Sequence, residues 1–320
     1  PPPPPPPPPP PFFFHPHDAI RDQPRSRGLG DVYKRQHMDL IANYGCVTGE
    51  GPLWHSDRGL LYWIDIPNGR IFQYDPKAEE HQIVFEGPQI GGFTIQTDGK
   101  LLLFMEKGSI AKWSSEGLET VVEGIRGEED SRFNDVIAAP NGSVFCGTMP
   151  TESHSGTLYR LDKDGSLRPV IENVGISNGL GFTTNQDTMY YTDSTARTIY
   201  RYGINPKTAE LSACEKFIVT PKDDGIPDGM TVDSEDHIWS ARWDGYSLYR
   251  YSPDGDQVLK IEFETKKVSC VTFGGIDYRD MYVTTAGANN LSENGQNAGS
   301  LYRMNPGITG KAEFRSEVCV

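Results

Sequence analysis

The chain has 320 residues, 36% of them hydrophobic and 11% aromatic, with 34 Gly and 25 Pro, which is enough apolar material for a core interrupted by many turns. A formal net charge of −14 and a pI near 4.9 repel phosphate backbones, so a nucleic-acid partner is disfavoured, whereas a divalent cation is attracted. No run approaches the ~20 apolar residues of a membrane span, and the five scattered cysteines lack metal-ligand spacing, so buried or semi-buried thiols in a reducing, cytoplasmic setting are expected.

Pro1 to Pro11 is a homopolymer that can only be extended or disordered, and Phe12 to Gln36 carries neither strand nor helix periodicity. Arg27 to Gln36 resembles translated adapter or vector sequence. Residues 1–37 are therefore set aside as a non-native or disordered Pro-rich leader, and 38–320 is expected to be a single folded domain.

From there a five-residue step recurs: a small polar or turn-forming pair, then an alternating apolar run. It begins at Glu50, Gly91, Asn134, Asn178, Asp228 and Ser269, six copies at intervals of about 41 to 50 residues, a period typical of propellers. The second copy shows the unit most clearly. Phe93 to Thr97 alternates and ends in the hairpin signal Asp98-Gly99. Leu101 to Met105 is a continuous apolar run suited to a strand buried on both faces; Ser109 to Trp113 and Glu119 to Glu123 complete four short strands. Third strands share a Tyr-Arg pattern (Tyr159-Arg160, Tyr200-Arg201, Tyr249-Arg250, Tyr302-Arg303), read as packing and edge cover. The sixth repeat lacks a fourth strand, and Asp39 to Asn43 stands where one is needed. The predicted fold is therefore all-β: a six-bladed β-propeller of four antiparallel strands per blade, closed by an N-terminal strand that removes the open edges.

The first strand of each propeller blade lines the central channel, so the six starting residues form a ring near one mouth. Four of them, Glu50, Asn134, Asn178 and Asp228, are oxygen donors. Unneutralised carboxylates in such a ring repel one another, and a divalent cation removes that cost. Oxygen donors without Cys or His suit a hard ion, Ca²⁺, Mg²⁺ or Mn²⁺, better than Zn²⁺. Asn-Gly and Asp-Gly pairs are also ordinary turn residues; what favours a site is four donors at one repeat-equivalent position. Gly91 and Ser269 leave the ring lopsided, and substrate is expected to enter there; the loops at 149–156 and 287–299 are expected to shape the pocket.

Taken together, Gly49-Glu50-Gly51-Pro52, Arg132-Phe133-Asn134-Asp135, Gly147-Thr148-Met149, Ile176-Ser177-Asn178-Gly179-Leu180 and Gly225-Ile226-Pro227-Asp228-Gly229-Met230 resemble the SMP-30/gluconolactonase/regucalcin-like family. The resemblance runs in order from about Met38 to near Gly310. It implies a lactonase with one divalent metal in the channel, Ca²⁺ first, with Mg²⁺, Mn²⁺ or Zn²⁺ as alternatives. It places Glu50, Asn178 and Asp228 as metal ligands, Arg132, Asn134 and Glu152 as substrate contacts, and a small sugar lactone as substrate. Because calcium acidifies water less than zinc does, a carboxylate base is also needed, and Asp228 is the expected one. Two alternatives stand beside this reading: a calcium-dependent aryl-ester or organophosphate hydrolase of related propeller type, and a calcium-binding propeller without turnover. Nothing in the sequence encodes an oligomeric state.

Overall fold

A computed structural model describes Pro1 and residues 37–319; the leader set aside above lies, apart from Pro1 and His37, outside the described residues. His37–Val320 form one compact unit. Its strands follow in chain order: β1 (Met38–Asn43), β2 (Gly49–His55), β3 (Leu60–Asp65), β4 (Arg70–Asp75), β5 (Glu80–Glu86), β6 (Ile90–Ile95), β7 (Leu101–Met105), β8 (Ile110–Ser114), β9 (Gly117–Val122), β10 (Phe133–Ala138), β11 (Val144–Thr148), β12 (Gly156–Leu161), β13 (Leu167–Val174), β14 (Ser177–Phe182), β15 (Thr188–Asp193), β16 (Thr198–Ile204), β17 (Leu211–Val219), β18 (Ile226–Val232), β19 (Ile238–Trp243), β20 (Ser247–Tyr251), β21 (Gln257–Glu262), β22 (Lys267–Gly274), β23 (Asp280–Ala286) and β24 (Ser300–Met304). They pair antiparallel into six four-stranded sheets, and the sixth has the order β1-β24-β23-β22. The structure is thus the six-bladed propeller expected from the repeats. Its ring is closed by the N-terminal strand, with Met38 opposite Met304 and Asn43 opposite Ser300.

Burial follows the radial order of the strands. Second strands such as β7 are buried at every residue, while outermost strands such as β9 are exposed or half-buried, as their apolar and alternating sequences require. The third-strand arginines tie blades and turns together. Arg160 Nη1 donates to the carbonyl of Ala209 (2.8 Å), Arg303 Nη2 to Asp39 of β1 (3.2 Å), and Arg250 Nε to the buried Asp233 (2.8 Å). The packing role read from the sequence therefore holds for these residues. All five cysteines are unpaired; Cys46, Cys146 and Cys270 are buried as expected, whereas Cys214, on an outermost strand, and Cys319, in the tail, are exposed.

The segment after β24 has no periodicity, yet it does specific work. It crosses the channel mouth at the far ends of the inner strands and touches all six blades. Arg315 pairs with Asp57 (2.9 Å), Ser316 Oγ bonds Thr94 Oγ1 (2.7 Å), and Gln96 exchanges two hydrogen bonds with the backbone of Val318. Glu317 N–H donates to Gly142, Phe314 packs edge-on to Phe182, Thr231 donates to Glu313 and Gly310 N–H to Tyr278. Each buried hydrogen bond contributes ~1 kcal/mol net, and ~1 kcal/mol shifts the midpoint of a domain this size by about 2–4 °C. Deleting residues 311–320 is accordingly expected to lower the thermal midpoint by roughly 10 °C in a circular-dichroism melt. An unchanged midpoint would mean that the tail only rests on the ring.

Candidate active site

All six inner strands break their pairing at the same repeat position. The register shifts between Glu50 and Leu53, Ile90 and Gly92, Phe133 and Val136, Asn178 and Leu180, Pro227 and Met230, and Val268 and Cys270. A bulge bends a strand and re-aims its side chains. Here it turns Glu50, Asn134, Asn178 and Asp228 toward the axis, where they are 7%, 8%, 7% and 5% exposed. The glycine that follows a donor serves this geometry. Gly51 takes φ +54°, and its N–H donates to Glu50 Oε2 (2.9 Å); a Cβ on Gly179 would stand 2.6 Å from the Asp228 carbonyl of the neighbouring inner strand.

These four donors line a cavity of about 330 Å³ built in three tiers. The second tier is the residue two positions before each donor, on the same strand face: Thr48, Arg132, Ile176 and Ile226. The third comes from the exits of the second strands: Ile66 after β3, Met149 after β11, Ser194 after β15 and Trp243 ending β19. The result is a polar floor under a largely apolar wall, as expected of a small-molecule site. Only the first, third, fourth and fifth blades contribute. In the second blade, Gln89 and Glu106 hold the corresponding positions and, with Lys107, line a neighbouring cavity of about 370 Å³, which shares Arg132 and Met149 with the first. In the sixth blade, Ser269 donates to the Gly49 carbonyl (2.6 Å) and Lys267 is turned onto the Trp243 ring, so neither lines the cavity.

A chain of hydrogen bonds fixes the donors. Arg132 Nη1 donates to Asn134 Oδ1 (2.7 Å) and to the Phe133 carbonyl (2.9 Å). Asn134 Nδ2 donates to Asn178 Oδ1 (3.0 Å), Asn178 Nδ2 to Ser194 Oγ (2.9 Å), and Ser194 Oγ to the Pro227 carbonyl next to Asp228 (2.6 Å). Ser194 thereby sets the Asn178 amide with its oxygen toward Asn134. Electrostatically the floor is short of positive charge. Burial, then repulsion from Asp135, pushes Glu50 up to about 8; burial, then repulsion from Glu50, raises Asp228 well above the carboxylate range. Burial pulls Arg132 down to about 10, against the pull of Glu50 and Asp228.

The structure therefore brings together Glu50, Arg132, Asn134, Asn178 and Asp228. Glu152 is exposed on the loop between β11 and β12 and lines neither cavity. Of the two loops expected to shape the site, 149–156 contributes Met149, whereas no residue of 287–299 lines it. The sequence reading also missed Ser194, Trp243 and Ile66, because second-strand exits share no residue type that would mark them. Among the described residues, Asp233, Glu235 and His237 place potential ligand atoms within 4.8 Å of one another. Arg250 already supplies the positive charge there, bonding Asp233 (2.8 Å) and Glu235 (2.6 Å).

The sequence profile of the SMP-30/Gluconolactonase/LRE-like region matches residues 48–287, which hold all of the floor. The chain belongs to this family. Among SMP-30/gluconolactonase relatives, a pentonolactonase of Haloferax volcanii is 44% identical over 291 residues, covering 87% of this chain and 97% of the relative. A 6-deoxy-6-sulfogluconolactonase of Pseudomonas putida is 30% identical over 263 residues, covering 80% and 89%. The crystal structure of a calcium-binding protein, regucalcin, from Agrobacterium tumefaciens superposes with a TM-score of 0.80 at 22% identity, covering 89% of this chain and 98% of that one, a likeness of fold.

Proposed function

We propose that this protein is a cytoplasmic, divalent-metal-dependent lactonase that opens a small sugar lactone to its aldonic acid. One observation carries the reading: two carboxylates and two carboxamides converge, buried, beside an arginine on the floor of a cavity of about 330 Å³. The names of two relatives in the family, a pentonolactonase and a sulfogluconolactonase, support the substrate class. No helix among the described residues is long and apolar enough to cross a membrane.

The floor suits a hard cation. Glu50, Asn178 and Asp228 would hold it, because they are oxygen donors in a cavity lined by no Cys or His, and the two carboxylates lack a positive charge equal to their own. When bound, the ion would polarise the lactone carbonyl and offset the charge of the tetrahedral adduct; Ca²⁺ is our first choice. The chain's own groups do the rest. Asp228 accepts a proton from the attacking water and returns it to the ring oxygen as the acyl C–O bond breaks. With Nη1 bonded to Asn134 and Phe133, Arg132 keeps its Nη2 side for substrate oxygens, and Asn134 is held in register by Arg132 and Asn178. We assign substrate contact to these two; Glu152 would reach the cavity only through closure of its loop.

Arg132→Lys keeps the charge and loses the fork. Charged hydrogen bonds are worth about 1.5–3 kcal/mol, so kcat/KM should fall ~10- to 100-fold with the fold retained. Steady-state kinetics beside a thermal melt checks this, and equal kinetics would remove Arg132 from substrate contact. The function as a whole is tested by a pH-indicator screen of aldonolactones, phenyl acetate and a phosphotriester on chelated protein, with and without Ca²⁺, Mg²⁺, Mn²⁺ or Zn²⁺. Metal-restored turnover confined to the sugar lactones is the expected result. Preference for the aryl ester or phosphotriester, or metal binding without any turnover, would favour a rival reading.

A further inference from the structure

The wall of the cavity is uneven. Around the third, fourth and fifth blades its polar members are Arg132 and Ser194, and its apolar ones Met149, Ile176, Ile226 and Trp243. Trp243 is the only aromatic ring among the lining residues and is half-buried. It ends β19 opposite Ile226 of β18, so its backbone is fixed by strand pairing rather than by a loop. Its side chain is held as well. Lys267 Nζ stands 4.3 Å from the centre of the indole and is itself bonded to Asp244 Oδ1 (2.5 Å). Trp243 lines the cavity and Lys267 does not, so the lysine holds the ring without taking a place in the wall. A cation over one face of an indole is a favourable and orienting contact. It also explains why the sixth blade adds nothing to the second tier of the wall: Lys267, two positions before Ser269, is used to set Trp243.

A rigid aromatic face beside a polar floor matches a molecule with one apolar face and a polar rim. A sugar ring is such a molecule, because its C–H bonds cluster on one face while its hydroxyls point outward. Dispersion between the C–H face and the indole rewards close, flat contact, and the rim is left for Arg132 and Asn134. We propose that Trp243 is the sugar-ring platform of this cavity and that Lys267 positions it. The proposal rests on the lactone reading above and adds the residue that seats the sugar ring.

The experiment uses the full chain, loaded with Ca²⁺, and a glyconolactam, which keeps the sugar ring but resists hydrolysis. Binding is followed by calorimetry and by tryptophan fluorescence in the wild type, Trp243→Phe, Trp243→Ala and Lys267→Met, with circular dichroism as the check on folding. The wild type should bind with a change in fluorescence that Trp243→Phe lacks, although Trp243→Phe still binds. Trp243→Ala should weaken the lactam and raise KM for sugar lactones about tenfold, the effect of roughly 1.4 kcal/mol, with a smaller change in kcat. Lys267→Met should weaken binding less than Trp243→Ala does. A folded Trp243→Ala that binds the lactam as tightly as the wild type overturns the platform while leaving the lactonase reading intact. A wild type that neither binds the lactam nor turns over any sugar lactone overturns both.

Discussion

Asp228→Ala and Glu50→Ala are each expected to abolish lactone hydrolysis while leaving a folded propeller. Each removes a carboxylate that is 5% or 7% exposed and held on a bulged inner strand, and the two repel each other. Removing either lowers the negative charge that a cation needs, and Asp228→Ala also removes the proton acceptor. Loss of a general base alone costs ~10²–10⁴-fold, and loss of a ligand adds to it, so turnover should fall to background. The fold should survive, because burial makes these carboxylates costly to the protein without a cation and alanine relieves that cost. In the chelated protein both variants should therefore melt no lower than the wild type. The decisive measurement pairs a lactonase assay with a thermal melt, each with and without Ca²⁺. Full activity in chelated, metal-free Asp228→Ala would sink the proposed chemistry, and a collapsed melt would assign the residue to the fold instead.

The second large effect is a change in how stability responds to pH. Burial pushes Glu50 up to about 8 and Asp135 up to about 7, and Asp228 is raised as well. Folded values above the unfolded ones mean that the native state holds protons which the unfolded chain gives up. The stability tied to those protons is complete below the unfolded carboxylate range near pH 4 and is lost as pH rises through about 7 to 8. The slope is ~1.4 kcal/mol per pH unit for each retained proton. A cation binds the ionised carboxylates and replaces the protons, so it should stabilise most at high pH. The melting midpoint in chelator should therefore fall between pH 5 and 8.5, while the midpoint in Ca²⁺ stays nearly level. Two parallel curves across that range would show that these carboxylates are not where the ion sits.

Most of the fold was legible because a propeller states its design six times. Each copy opens on a small polar pair and proceeds to an apolar strand, and the missing fourth strand of the last blade pointed to Asp39–Asn43, which pair there. The floor was legible for the same reason: a common repeat position turns Glu50, Asn134, Asn178 and Asp228 from ordinary turn residues into a ring. Legibility ended where repetition did. Second-strand exits hold Ile66, Met149, Ser194 and Trp243, four different chemistries, so nothing in their types revealed a shared wall. Glu152 sits on a loop whose course is set by local turns such as Thr151 N–H to His154, which no repeat dictates. The tail was opaque because it forms no hairpin. Its pairing with the ring is a lone parallel bridge between Gln96 and Ser316, backed by side-chain bonds more than two hundred residues distant in sequence.

That tail has a consequence for traffic. By stopping the far mouth, it turns a tube into a cup, in which a residual space of about 60 Å³ lies beneath the floor beside Glu313 and Phe314. Reactant and product must then share one door. On the lactonase reading the reactant arrives neutral and the product departs as an anion. Its way out passes the surface of a chain with net charge −14. The field that is indifferent to the incoming ring pushes the aldonate out, and does so more strongly as ionic strength falls.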